Sequence, residues 1–407
     1  MPPLLLMNTS YDSPHPSRSS VSPGTASLLI VFAELLGTSL WFSMNSVADD
    51  LMAAWEINLA GIGLLTNAVQ LGFVAGTLLF AFSGIADRFR PSRIFSLCAL
   101  LGALFNALFA LYADSILMGS LLRFLVGVCL AGIYPVGMKL IITWDPEKAS
   151  QRLAQLVGML ILGTALPHAT RYFGVDWPWQ SVILFSSLLA VLAMVLIFWL
   201  GDGPHLKIST PSKIKPISIR TIFAIPAYRS SALGYFGHMW EVYAFWALVP
   251  VLVATTHHIS NPIELSGFAF LVIAMGTVGC LIGGQLSKTI CSSRVASYAL
   301  GLSGLCCLLY PWVKDVPLLL QLMFWAIWGM SAAADSPQLS AISAKSCPPE
   351  FVGTALTIQN AIGFGITMIS IQLCTVLMPY LNHYISWVLL PGPILGLLLL
   401  NRVRRSK

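Results

Sequence analysis

The sequence predicts an all-α membrane protein of twelve transmembrane helices, arranged as two six-helix pseudo-repeats. Three observations predict this fold class: the scarcity of charge, the apolar segments of spanning length, and the recurrence of small residues at matching positions of both halves. Only 9% of the 407 residues are charged and 57% are hydrophobic. Soluble domains carry about 25% charged residues, so a chain this poor in charge is expected to have lipid as its solvent.

Apolar segments of about 20 residues occur twelve times along the chain, the length that crosses a bilayer core. The first six are Ser27–Val47, Gly61–Phe82, Ile94–Tyr112, Ile116–Ile142, Leu153–Tyr172 and Val182–Leu200. The second six are Ala232–Thr255, Leu265–Leu286, Val295–Val313, Leu318–Ala341, Ala355–Met378 and Leu381–Leu400. Because lipid offers the backbone no hydrogen bonds, each segment is predicted to be a helix.

The distribution of charge predicts the topology. With both termini in the cytosol, nearly all of the 22 Lys and Arg lie on the cytosolic side, and the opposite loops carry acidic residues instead. This is the positive-inside pattern, and it predicts that both termini are cytosolic. The expected location is the plasma membrane, the inner membrane if the chain is bacterial. The predicted parts are a disordered cytosolic tail (1–24), two six-helix bundles (25–200 and 229–401), a cytosolic linker (201–228) and a basic tail (402–407).

The two halves repeat the same small residues. Gly76, Thr77 and Gly84 recur at matching positions as Gly276, Thr277 and Gly284, and the prolines and glycines of the fourth and fifth segments recur in the tenth and eleventh. Two like-oriented halves joined by a linker are the parallel-repeat plan of secondary transporters.

The loop between the second and third segments, GIADRFRPSR, resembles the G-x-x-x-D-R-x-G-R-R motif of the major facilitator superfamily. The residues that match are Gly84, Asp87, Arg88 and Arg93. Arg123 and Gly127 match the R-x-x-x-G motif of that family's fourth helix. The resemblance covers the chain from Ser27 to Leu400 and implies the family's twelve-helix fold. The fifth segment lacks the Gly-Pro pair of drug–proton antiporters, which argues against multidrug efflux, and the likeness to uncharacterised prokaryotic members implies no substrate.

The same resemblance implies a cytosolic gate formed by Gly84, Asp87, Arg88 and Arg93. Asp87 would accept contacts from the start of the eleventh helix, near Phe351–Thr354, because a helix N-terminus favours a carboxylate. The alternative is a loop that only determines topology.

Ionisable side chains at membrane depth are costly and are therefore candidates for substrate or proton binding. They are Glu34, Arg123, His238, Glu241 and Asp335. Glu34 and Arg123 are predicted to interact electrostatically across a cavity. Structural alternatives remain for each: Glu34 as a snorkelling residue, Arg123 as a clamp between helices, His238 and Glu241 as a hydrogen-bonded pair, and Asp335 as a cap.

Uncharged polar residues extend this set of candidates for substrate binding. They are Trp41, Asn45, Asn67, Gln70, Gln359 and Asn360. Together with the aromatic stretch of the seventh segment, they predict a cavity for a small organic molecule, without choosing its charge.

The predicted function is secondary active transport of a small organic solute, coupled to protons, by a monomer that works by alternating access. The alternatives are an uncoupled facilitator and a receptor or scaffold that does not transport. The chain contains no nucleotide-binding loop, no G-x-S-x-G serine motif and no metal-type spacing of His and Cys, so no enzyme activity, metal or cofactor is predicted. Its basic residues lie in short loops and form no face for nucleic acid.

Overall fold

The computed structural model describes residues 21–206, 219–257, 261–348 and 351–402. These residues form helices and turns and contain no strand. The first helix begins at Pro23, so most of the predicted N-terminal tail lies outside the described residues. Of the predicted linker, the structure describes its first residues and a short helix, Ile219–Phe223.

Eight helices form the N-terminal half. They are α1 (Pro23–Thr38), α2 (Ala48–Trp55), α3 (Leu59–Ser83), α4 (Ile85–Arg88), α5 (Pro91–Tyr112), α6 (Ile116–Trp144), α7 (Ala149–Phe173) and α8 (Trp179–Leu200). The rest of the described chain adds α9 (Ile219–Phe223), α10 (Pro226–His257), α11 (Pro262–Leu286), α12 (Ser292–Leu309), α13 (Leu318–Ala334), α14 (Ser336–Ser346), α15 (Val352–Leu381), α16 (Ser386–Leu389) and α17 (Pro391–Arg402).

Ten segments of the described chain are long and apolar enough to cross a membrane, and the shorter α1 is also apolar. The last of the ten runs for 50 residues, from Val352 to Asn401. As one helix it would be about 75 Å long, more than twice a bilayer core. Asn382 interrupts it with a φ of 47°, and α15 and α17 both pack against α10. The chain therefore turns back there, which agrees with the twelve predicted crossings.

The first predicted segment is not one continuous helix. α1 ends at Thr38, and turns and a 3₁₀ segment (Asn45–Val47) complete the passage. Hydroxyl groups bond to nearby carbonyls at this point: Thr38 Oγ1 donates to Glu34 O at 2.7 Å and Ser39 Oγ to Leu36 O at 2.6 Å. Such side chains compete with the helical ladder, which explains why a Ser- and Thr-rich apolar segment ends its helix early.

Close helix packing repeats in the two halves. A side chain at Gly127 of α6 would collide with the Val69 carbonyl oxygen of α3, and one at Gly329 of α13 would collide with the Val272 carbonyl of α11. Gly72 of α3 abuts the backbone of α6 in the same way. Small residues let membrane helices approach to backbone contact.

The halves differ where each carries a proline. Pro135 lies inside the continuous helix α6. At the matching place in the C-terminal half the helix is interrupted. There α13 ends at Ala334 and α14 begins at Ser336, with Pro337 in the first turn of α14. The break leaves Asp335 between two helices, at membrane depth.

Two helix pairs join the bundles, α3 with α15 and α7 with α11. Asn67 Nδ2 of α3 donates to Met368 O of α15 at 3.0 Å and lies 3.2 Å from Gln372 Oε1. Thr277 Oγ1 of α11 donates to Gly158 O of α7 at 2.8 Å. The plane between the bundles is therefore crossed by hydrogen bonds as well as by apolar packing.

Candidate functional site

Arg123 is a completely buried cation that lies against the broken end of α1. Its Nη2 donates to the carbonyls of Leu40 at 3.1 Å and Trp41 at 2.6 Å, and its Nη1 donates to Asn106 Oδ1 at 2.8 Å and Ser43 Oγ at 3.2 Å. A helix end leaves carbonyls without partners and favours a cation. These contacts join α1, α5 and α6 within one half and so match the clamp alternative.

Glu34 is also completely buried, but neither carboxyl oxygen has a hydrogen-bond partner among the described residues. The space beside Oε2 exists because residue 137 of α6 is glycine. Tyr134 of α6 lies near Glu34. The described contacts of Arg123 do not include Glu34, so this structure does not join the two groups that the sequence analysis paired. A snorkelling position is also not observed, because the side chain has no exposed surface.

An aromatic layer crosses the centre of the protein, where the bundles meet. Trp41, which follows the end of α1, stacks on Phe364 of α15 with 5.7 Å between the ring centroids. The ring centroids of Trp41 and Tyr243 of α10 are also 5.7 Å apart. Phe73 of α3 lies 4.5 Å from Phe364. Rings from both halves thus form one packed layer, which closes the passage in this structure.

A small cavity lies directly against this layer and is lined by residues of both halves. It contains about 30 Å³ that the centre of a water molecule can occupy, room for about two waters. The lining residues with polar groups are Tyr134, Tyr235, His238, Tyr243, Trp246 and Ser336, and the remaining ones are apolar. The cavity is too small for an organic solute in this conformation.

His238 and Asp335 meet at the cavity wall. His238 Nδ1 lies 2.8 Å from Asp335 Oδ1, and both side chains are almost fully buried. The contact has the distance of an ion pair but not the geometry of a hydrogen bond, because Asp335 Oδ1 has no hydrogen-bond donor among the described residues. Attraction between charges is therefore what this contact provides when the imidazole is protonated.

Glu241 is on the same helix as His238, but it faces away from the cavity into the C-terminal bundle. Its Oε2 accepts a hydrogen bond from Ser303 Oγ at 2.7 Å. Its Oε1 accepts one from Trp328 Nε1 at 2.9 Å and a longer one from Cys307 Sγ at 3.4 Å. His238 and Glu241 each have other partners, so the structure does not show the pair that was considered as an alternative.

The amide side chains divide into bonded and unbonded groups. Gln70 Oε1 accepts a hydrogen bond from Trp41 Nε1 at 3.2 Å. Gln70 Nε2 has no acceptor among the described residues. Asn45 Nδ2 donates to Thr66 Oγ1 at 2.9 Å. Gln359 is completely buried, and neither of its amide atoms has a partner among the described residues. Its neighbour Asn360 is half-buried.

Asn67 forms part of a closure on the side predicted to be outer. Two further hydrogen bonds join the bundles beside those of Asn67. Gln372 Nε2 donates to Ala60 O at 3.5 Å, and Ser266 Oγ donates to Ser46 O at 3.4 Å. Hydrogen bonds therefore join the bundles through the outer half of α15.

The predicted gate loop connects α3 to α5. Gly84 has a φ of 65°, the left-handed conformation that ends α3 and favours glycine. Arg88 and Arg93 are exposed. The side chain of Asp87 lies outside the described residues, so the gate remains a prediction. The acid that the structure does place at a helix start here is Asp202, whose Oδ1 accepts from Ser92 N of α5 at 2.9 Å.

Sequence reasoning missed two polar residues. Tyr134 lines the cavity, and Asn106 bonds to Arg123. Tyrosine and asparagine in apolar segments are ordinary, and only the position of each on its helix separates these from packing residues. Tyr235, one turn before the aromatic stretch of the seventh segment, also lines the cavity. His168 of α7 is completely buried, and neither of its ring nitrogens is bonded among the described residues.

Two curated transporters are similar to part of this chain. The 4-hydroxybenzoate transporter PcaK of Pseudomonas aeruginosa is 30% identical over 182 residues, which are 43% of this chain and 38% of that protein. The niacin transporter NiaP of Acinetobacter baylyi is 29% identical over 167 residues, which are 38% of this chain and 34% of that protein. The similarity thus spans less than half the length of these curated relatives.

Solved structures agree on the fold. A bacterial homologue of the human lysosomal transporter Spinster, in an inward-facing and occupied conformation, superimposes with a TM-score of 0.65 over 93% of this chain and 94% of that one, at 16% identity. Its unoccupied form gives a TM-score of 0.62 over 94% and 95% of the two chains, at 15% identity. The profile of the Major Facilitator Superfamily matches residues 27–371, from α1 into α15. This chain belongs to the major facilitator superfamily.

Proposed function

We propose that this protein is a secondary active transporter that moves a small organic solute across the cytoplasmic membrane by alternating access, coupled to protons. The observation that carries the proposal is the cavity between the two bundles, lined by ionisable and hydroxyl side chains at membrane depth. Such groups are costly in lipid unless they serve a substrate or ion pathway. The names of the relatives, transporters of 4-hydroxybenzoate and niacin, support an organic solute.

Glu34 is a proton site in this proposal. As a carboxylate it would be an uncompensated charge inside the protein, because no described donor reaches it. A proton removes that charge, and a rearrangement that brings water or a donor to Glu34 would release the proton again. Tyr134, which lies near Glu34, lines the cavity between the two bundles, so separation of the bundles would bring water close to Glu34.

The test is uptake by purified protein reconstituted in lipid vesicles, with radiolabelled 4-hydroxybenzoate and niacin as probes. We expect a pH gradient to drive accumulation and a protonophore to abolish it. Accumulation to no more than the outside concentration, with no response to the protonophore, would instead indicate a facilitator. A folded protein that transports neither these probes nor a wider panel of organic acids and amines would contradict transport and favour a receptor or scaffold.

Alternating access is tested by locking the outer closure. A Cβ built at Gly63 of α3 would lie 3.2 Å from Thr375 Cβ of α15. A disulfide needs about 3.5–4.5 Å between these atoms, so the double variant Gly63→Cys/Thr375→Cys can form one after a small separation of the two helices. The variant is made with Cys291→Ser, because Cys291 is the exposed cysteine of the described chain. Oxidation should stop uptake and reduction should restore it. Full uptake by the oxidised protein would contradict movement at this closure.

A further inference from the structure

We infer that His238, positioned by Asp335, binds the carboxylate group of a small, flat monocarboxylic acid, and that this is the substrate class of the transporter. The inference rests on the proposed function and extends it from an organic solute to an acid recognised at one wall of the cavity. Four features support the inference: the position of His238, the polar side chains that line the cavity, the apolar side chains that line it, and the balance of charge.

The contact with Asp335 determines which nitrogen of His238 is available. Nδ1 lies against Asp335 Oδ1, and Nε2 has no hydrogen bond to the described residues. A carboxylate beside one ring nitrogen orients the imidazole and leaves the other nitrogen for a ligand. Because His238 lines the cavity, a protonated imidazole would offer Nε2–H to a solute there.

The other polar groups of the cavity are mainly donors. Tyr134, Tyr235 and Tyr243 line it, and their hydroxyls have no hydrogen bond to described residues. Ser336 adds a fourth hydroxyl. No carboxylate is among the lining residues of the described chain, since Asp335 lies behind His238. A site with several donors and no acidic group is complementary to an anion with two acceptor oxygens.

The remaining walls are apolar and partly flat. Trp246 and Phe364 line the cavity on the side of the aromatic layer, and aliphatic side chains such as Leu160 and Val242 complete it. Aromatic faces stack favourably on another ring. The cavity has space for about two waters, so the bundles must separate before a ring-sized acid enters. That requirement agrees with the proposed alternating access.

The balance of charge couples the acid to a proton. An entering carboxylate at Nε2 shares the imidazolium with Asp335 at Nδ1, so one positive charge then faces two negative charges. One proton from the solution on Asp335 restores neutrality, so the acid and the proton bind together. The titratable groups that surround the pair are Tyr134 of α6, Tyr235 of α10 and Cys280 of α11. Those of α10 also include Glu241, which is bonded away from the cavity.

The experiment compares acids with their neutral and cationic counterparts on the purified full-length protein. Binding of benzoate, 4-hydroxybenzoate and nicotinate is measured by quenching of tryptophan fluorescence, beside benzamide, nicotinamide and benzylamine. We expect the acids to bind and the uncharged amides to bind at least about tenfold more weakly, because the donors lose a charged acceptor. Binding of the amides or of benzylamine with equal or higher affinity would overturn the inference.

Variants locate the binding group. His238→Gln removes the charge, and Tyr134→Phe and Tyr235→Phe each remove one hydroxyl and keep the ring. We expect about tenfold weaker binding of 4-hydroxybenzoate for His238→Gln and about threefold for each tyrosine variant. His383→Gln is the matched control, because it makes the same change in the Asn382–Ile385 segment, away from the cavity. Unchanged affinity in all three cavity variants would overturn the inference, even if one of them folds poorly.

Asp335 is a positioning residue, so its test must measure a property that a purely structural residue would not change. That property is the pH profile of binding. Asp335→Asn keeps the shape but cannot take up the proton. In this variant His238 is the only group of the pair that takes up a proton, so we expect the pH profile of 4-hydroxybenzoate binding to differ from that of the wild type. Binding that keeps the wild-type pH profile would overturn the role of Asp335. Wild-type protein that transports an amine but binds none of the acids would reject this inference and leave the proposed function standing, whereas no transport of any probe would reject the proposed function itself.

Discussion

Each half of the protein buries a glutamate on its first long helix, and the two have opposite surroundings. Glu241 of α10 accepts hydrogen bonds from Ser303, Trp328 and Cys307. Glu34 of α1 has no partner among the described residues, although it is equally buried. A carboxylate with three donors is stabilised where it is, and one without donors is costly whenever it is charged. The comparison supports the proposal that Glu34 takes part in the transport cycle, and it favours a structural role for Glu241.

The largest expected effect is on stability, for Glu241→Ala. The change leaves the donors of Trp328 and Cys307 without an acceptor, and Ser303 keeps only its longer bond to Leu300 O at 3.4 Å. Each unsatisfied buried donor costs about 1–3 kcal/mol in the free energy of unfolding. Thermal unfolding of the purified protein in detergent measures it. The matched control is Glu34→Ala, which removes no hydrogen bond and should cost less than half as much. Equal losses for the two variants would end the comparison.

Glu34→Gln should affect transport instead of stability. The amide has the shape of the acid but cannot carry a proton, so uptake driven by a pH gradient should fall about a hundredfold, equivalent to about 2.7 kcal/mol. Exchange of labelled for unlabelled solute, which needs no net proton movement, should fall much less. Glu241→Gln, compared at equal amounts of folded protein, should keep most of its driven uptake. Driven uptake by Glu34→Gln at the wild-type rate would remove Glu34 from the cycle.

Ser303→Ala isolates one donor of the Glu241 network. A single hydrogen bond to a charged group contributes about 1.5–3 kcal/mol, and Glu241 keeps its other two donors, so we expect a loss near the lower value. Urea denaturation followed by tryptophan fluorescence gives the difference. The change should be smaller in protein that already carries Glu241→Ala, because the partner is then absent. Additive losses in the double variant would show that the hydrogen bond contributes nothing.

The smallest effect is expected at the predicted outer border of the N-terminal half, where Arg171 Nη2 lies 2.6 Å from Asp50 Oδ2. Asp50 is about one third exposed, so water and salt screen the pair. Arg171→Gln should cost less than about 1 kcal/mol. The loss should shrink further in 1 M salt, which separates this pair from the buried groups. A loss as large as that of Glu241→Ala would show that exposure does not weaken charge interactions here.

The same principle explains what the sequence could predict about the candidate site. Lipid excludes charge, so a charged residue inside an apolar segment is visible without a structure, and Glu34, Arg123, His238, Glu241 and Asp335 were all found that way. Their partners were not visible. Arg123 bonds to the carbonyls of Leu40 and Trp41, and His238 contacts Asp335. The sequence could not predict either contact, because each depends on which helices become neighbours.

The sequence by itself determined the membrane class, the apolar segments and the pseudo-repeat, because hydropathy and the placement of small residues act along each helix. Only the tertiary structure decided that α1 ends at Thr38 and that Asp335 lies at a break between α13 and α14. It also decided which of two similar glutamates is bonded. A helix in lipid specifies its own backbone hydrogen bonds, whereas the partners of a buried carboxylate come from other helices, so only their packing distinguishes Glu34 from Glu241.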